Sequence, residues 1–171
     1  NGETDFNIIL NGQSLEFNYT LSGYVFSSID ETFEYEMDGE VKTSSVKFNL
    51  TLVRNKRERK RCNLSGVAVV SDVKICNLTV DKLGGAPQKS VRNLFDNLRG
   101  FVVCDDLSSV LDHTGMPAKD LSHHALRGDH PITLPFYEKV ASKITELLRG
   151  YLLLNVEQTA DRLNSLAINV V

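Results

Sequence analysis

The chain lacks tryptophan altogether and has only four prolines, two methionines and three cysteines in 171 residues. With no tryptophan and few aromatics, it offers no obvious platform for stacking on sugars. No apolar run approaches the ~20 residues needed to cross a bilayer as a helix. The formal charge of −3 gives no general reason to expect nucleic acid as a partner. There is no nucleophile elbow, phosphate-binding loop, paired-carboxylate motif or dinucleotide fingerprint, so an enzyme is not expected, nor a cofactor. Internal repeats and low-complexity tracts are missing too. The first residue is Asn1 rather than methionine, with no signal-like segment after it, as expected of a processed or trimmed chain.

What remains is a chain of ordinary composition, 42% hydrophobic and 24% charged, long enough for one domain with a sizeable core. A single domain over residues 1–171 is expected. Its most distinctive segment is Thr133–Leu154, where Phe136, Val140, Ala141, Ile144, Leu147, Leu148, Tyr151 and Leu152 recur at steps of three and four. That spacing puts them on one face of a long helix, expected over 134–165. Thr133 is placed to cap its start, and Pro135 is tolerated in a first turn.

Upstream the apolar period changes to two. Phe6, Ile8 and Leu10 alternate, followed by Leu15, Phe17, Tyr19 and Leu21, by Phe33, Tyr35 and Met37, and by Val46, Phe48, Leu50 and Leu52. Each run reads as a strand with one buried face. Asn11-Gly12 and Asp38-Gly39 suit tight hairpins because both residues tolerate positive φ. The expected architecture is α+β: an antiparallel sheet meander over 5–82, short helices over 88–112, an irregular loop over 113–132, and the long amphipathic helix lying against the curved sheet.

Four N-glycosylation triplets occur in the first 80 residues, at Asn18, Asn49, Asn63 and Asn77. They point to a secreted glycoprotein. Asn18, Asn49 and Asn77 each sit between residues of the apolar alternation, so the sugar-bearing face should be opposite the apolar one. In an oxidising compartment two of Cys62, Cys76 and Cys104 are expected to pair. Cys62 and Cys76 each precede a sequon asparagine and so should both face inward, which favours that bridge, although spacing alone does not fix it. Arg54–Arg61 holds six basic residues in eight and reads as a solvated turn, or else as a handle for an anionic surface. The four histidines fall between His113 and His130 with no zinc-ligand spacing, and Arg127-Gly128-Asp129 is an adhesion-type tripeptide of the kind that arises by accident.

Val80-Asp-Lys-Leu-Gly-Gly85, Val91–Gly100 (VRNLFDNLRG) and Leu134–Ile144 (LPFYEKVASKI), in that order after long strands, resemble the tubular lipid-binding superfamily. That superfamily includes the insect takeout and juvenile-hormone-binding proteins and the mite group-seven allergens. The resemblance implies a hydrophobic ligand, such as a lipid or terpenoid, held between sheet and helix by a secreted carrier or sensor. Residues expected to line the site are Phe17, Tyr19, Phe48, Leu50, Leu78, Phe136, Val140, Ile144, Leu147 and Tyr151. The family usually begins with a helix, whereas this chain opens almost directly into strands: either that helix has been removed, or this is a shorter relative with an open groove, which would favour self-association. The alternative is a structural or interaction glycoprotein in which the same apolar faces form a closed core or a subunit interface.

Overall fold

The computed structural model describes residues 8–10, 13–15, 23–53, 66–83, 89–120 and 125–168; for 8–10, 13–15, Ser27 and 161–168 it describes the backbone alone. Strands β1 (Ile8–Leu10) and β2 (Gln13–Leu15) form a small antiparallel ribbon in which Leu10 faces Gln13. The main hairpin joins β3 (Gly23–Met37) to β4 (Glu40–Val53) with Met37 opposite Glu40. Asp38 and Gly39 at its tip have φ of 57° and 77°. Positive φ at both central residues is what a two-residue hairpin with right-handed strand twist requires, and Asp-Gly supplies it cheaply. Along β4 the residues alternate in burial from Ser44 to Leu52, as the period of two predicts.

Three more strands complete a five-stranded sheet in the order β3-β4-β7-β5-β6, where β5 is Val67–Val70, β6 Lys74–Leu78 and β7 Leu98–Val103. The sheet is mixed where an antiparallel meander is expected, and the short helices expected over 88–112 are two, separated by a strand. Only Lys89–Phe95 (α1) and Asp106–Ser109 (α2) are helical there, and β7 inserts between β4 and β5. It runs antiparallel to β4 and parallel to β5, so the sheet is mixed. The spacing Val91, Leu94, Phe95, Leu98, Val102 imitates a continuing helix. The helix instead closes at Asp96 and Asn97, whose N–H groups donate to Arg92 and Leu94 carbonyls, while the Asn97 amide donates to the Asn93 carbonyl. Gly100 explains why the next residues extend: its φ is +136°, and a Cβ there would stand 2.0 Å from the Asn49 carbonyl oxygen. Only glycine allows β7 to approach β4 that closely.

The helix α3 (Thr133–Ile168, 36 residues) lies across the inner face of the sheet. Its length is about 54 Å at 1.5 Å per residue. Phe136 meets the Phe33 ring edge-on at 6.2 Å, and Tyr151 meets Tyr24 at 5.0 Å, so α3 runs antiparallel to β3. Phe136, Val140, Ala141, Ile144 and Leu148 are buried. Beyond Leu152, no side chain from Leu153 to Ala160 is buried. A short 3-10 turn at Val80–Leu83 and α1 close the flank of α3. No helix among the described residues is long and apolar enough to cross a membrane.

The helix start differs from the expected Thr133 cap. The Thr133 hydroxyl turns back and donates to the Arg127 carbonyl at 2.7 Å. His130 does the capping work instead: its Nδ1 accepts the Ile132 N–H at 3.3 Å, and its carbonyl accepts the Thr133 N–H at 3.0 Å.

Candidate functional site

The seam between sheet and α3 is where the sequence places a ligand. Phe48, Leu50, Leu78, Phe136, Val140 and Ile144 do come together there, from β4, β6 and α3, as parts of one core. Phe48, Phe136, Val140 and Ile144 are 0% exposed. Water does not reach these four side chains, so at their positions sheet and helix are packed directly on each other. Leu147 and Tyr151, farther along α3, are half-buried and pack on the margin of the core. Phe17 and Tyr19 lie outside the described residues, as do Asn18, Asn63, Cys62 and Arg54–Arg61.

The outer face of the sheet is organised by register. Asn49 pairs with Phe101, Phe101 with Ala68, and Ala68 with Asn77. Paired residues share a face, so the two described sequon asparagines lie in one row across the sheet. Phe48, Val102, Val69 and Cys76 form the adjacent row on the core side. Asn77 is exposed and Asn49 half-buried. Both asparagines therefore project away from the apolar seam.

Cys76 and Cys104 are free thiols, so the expected Cys62–Cys76 bridge is not made in this structure, Cys62 itself lying outside the described residues. Cys76 faces inward as expected, hydrogen-bonded to the Tyr137 hydroxyl on α3, and burial raises its pKa above the ordinary thiol range. The same burial pushes Tyr137 far above the usual phenol range, and the Lys82 ammonium sits 5.0 Å from the Tyr137 ring centre. Cys104 is buried with its Sγ 3.5 Å from the Ser44 hydroxyl, and its pKa is also raised by burial. Neither thiol has the lowered pKa that a nucleophile needs.

Two charged groupings were not legible in the sequence. Glu31 lies on the inner face of β3, where Lys143 reaches it at 2.8 Å and Lys139 at 3.3 Å. The hydrogen bond from Lys143, then that from Lys139, lowers its pKa. This ties β3 to the first third of α3. Asp112 anchors the loop ahead of α3. It accepts the Thr114 hydroxyl at 2.5 Å and the N–H groups of Thr114 and Met116, and pairs with Arg127 at 2.9 Å. The Thr114 hydroxyl is the main reason its carboxyl lies well below the usual range. Arg127 also pairs with Asp129 at 2.9 Å. The Arg-Gly-Asp tripeptide therefore has its guanidinium drawn back onto its own loop. Among the described residues no three His, Cys, Asp or Glu side chains are grouped to hold a metal ion.

A shallow, open cleft of about 440 Å³ lies at the border of β3 and α3, lined by Thr32, Phe33, Glu34, Thr43, Pro135, Glu138 and Lys139. Its mixed lining suits polar as much as apolar groups. No protein-family model, curated protein or solved structure matches the chain.

Proposed function

We propose that this chain is a non-enzymatic secreted glycoprotein that works through its surface, with sheet and helix closed on each other as a scaffold. The observation that carries this reading is the filled seam: Phe48, Phe136, Val140 and Ile144 have no exposure at all. An unfilled groove would have left them accessible to water. The row that holds Asn49 and Asn77 supports it, since carbohydrate there would stand clear of the seam. Expression in a secreting eukaryotic host tests both parts. Glycopeptide mapping should find sugar on Asn77, the more exposed of the two. A fluorescent apolar probe such as N-phenyl-1-naphthylamine should show no saturable binding to the purified chain. Saturable, stoichiometric binding would overturn the closed scaffold.

A second reading is the hydrophobic-ligand protein implied by the resemblance. Its specific support is at the far end of the seam, where Tyr24 and Tyr151 touch, Tyr151 and Leu152 are only half-buried, and Leu153 and Leu154 are exposed. A ligand would then sit at that end rather than against Phe136. Saturable probe binding that is lost in Tyr151→Ser would favour this reading over the first.

A further inference from the structure

Strand β3 is the long edge of the five-stranded sheet. One side of its fifteen residues is hydrogen-bonded to β4, and no strand among the described residues pairs with the other side. In an antiparallel ladder the N–H and C=O groups of alternate residues point to opposite sides, so about half of them face outward here. Register with β4 shifts between Phe26 and Ile29, then continues unbroken to Met37. Natural edges are blunted by lysine, proline, bulges or inward-pointing charges. β3 has the register shift before Ile29 and the inward Glu31, but no lysine or proline, and its charged residues are Asp30, Glu31, Glu34 and Glu36, all acidic.

Those carboxylates are not equivalent. Glu31 points inward and is held by Lys139 and Lys143. Asp30 stands opposite Lys47. Glu34 and Glu36 are exposed and stand opposite Thr43 and Val41, with no basic residue directly across from either. On the helix side of the same edge, the exposed Glu138 lines the cleft with Glu34. Among the described residues the one cation lining that cleft, Lys139, is engaged with Glu31. The edge therefore presents carboxylates both above and below the plane in which an added strand would lie.

We infer that the outer edge of β3, from Ile29 to Met37, binds an extended basic segment of a partner protein by strand addition. Backbone hydrogen bonds supply the adhesion, and alternate side chains supply the choice. Basic residues on one side of such a segment reach Glu34 and Glu36. Those on the other side reach Glu138 beside Pro135. A second copy of β3 is a poor occupant, because it would bring four more carboxylates to the same edge. This goes beyond the closed-scaffold reading by naming the surface and the chemistry of its partner.

The test uses the full chain and a labelled peptide that alternates lysine and threonine, followed by fluorescence anisotropy at about 50 mM salt, where screening is weak. The expected result is saturable binding that falls at least about tenfold in E34K/E36K. Both positions are exposed, so that variant is expected to fold, which its circular dichroism checks. Two versions of the peptide, N-methylated on one or the other alternate set of amides, separate strand addition from charge attraction. Methylation of the set that faces β3 should abolish binding. The inference is overturned if the lysine peptide does not bind, if a glutamate–threonine peptide binds equally, or if both methylated peptides bind as well as the parent. Any of these results would leave the closed scaffold standing, since none of them bears on the seam.

Discussion

Phe136 is the side chain on which the seam most depends. It is wholly buried, packed against Phe33 and Tyr137, and its N–H closes the first turn of α3 onto Ile132. Phe136→Ala should cost about 3–5 kcal/mol in urea unfolding, the range for removing a buried ring. Leu153→Ser, on the same helix but 65% exposed, should stay within about 0.5 kcal/mol. Equal losses in the two variants would mean that the helix face is misassigned. His130 gives a second test. Burial pushes its pKa below the ordinary value, and Asp112 only partly offsets this while Arg127 adds to it. The native state then binds fewer protons than the unfolded chain below about pH 6.5, so His130 contributes stability above that value and loses it as pH falls. Compared with His130→Phe, which cannot titrate, the wild type should lose more stability between about pH 8 and pH 5. Parallel pH profiles would contradict the burial of a neutral imidazole. At this scale the sequence revealed inward residues wherever alternation was strict, as at Phe33, Tyr35, Phe48 and Leu50. It did not reveal Glu31 or Asp112, because spacing does not distinguish a solvated carboxylate from one held by a distant lysine or arginine.

At the level of elements, the β3–β4 hairpin and α3 were legible because their determinants are local. Asp38-Gly39 fixes the turn, and the repeating steps of three and four fix the helix. β7 was not, because it owes its extended form to neighbours on two sides, β4 and β5, that are remote in sequence. Its own residues, LRGFVV, carry an arginine and a glycine that disguise the strand. Gly100→Ala is accordingly the sharpest element-scale test. The added methyl meets the Asn49 carbonyl at a backbone angle that alanine avoids, and the loss should exceed about 3 kcal/mol, read as a fall in the unfolding midpoint. A neutral result would mean that β7 does not lie against β4 as described. The far part of α3 should behave oppositely. Because nothing from Leu153 to Ala160 is buried, replacing Leu153, Leu154 and Val156 together by serine should keep a near-native melting temperature, while a chain stopped after Lys143 should not fold, since it lacks Ile144 and Leu148. Melting followed by circular dichroism distinguishes the two.

For the molecule as a whole, the α+β architecture with a late helix packed on a sheet is present, with a mixed sheet in place of a meander. Hydrophobic patterning could say that a sheet face and a helix face would meet. It could not say whether they would leave a gap, because a lining and a core are written with the same residues. Phe48 and Ile144 would satisfy either description, and packing alone separates them. The packed seam, the outward asparagines and the acidic edge of β3 are the three observations on which the proposed scaffold, with its chemistry on its outside, rests. The most direct test is native mass spectrometry of the full chain, secreted from eukaryotic cells and stripped of N-linked sugar. The closed scaffold predicts the mass of the polypeptide and nothing more. A stoichiometric increment that organic solvent releases as a lipid would contradict it.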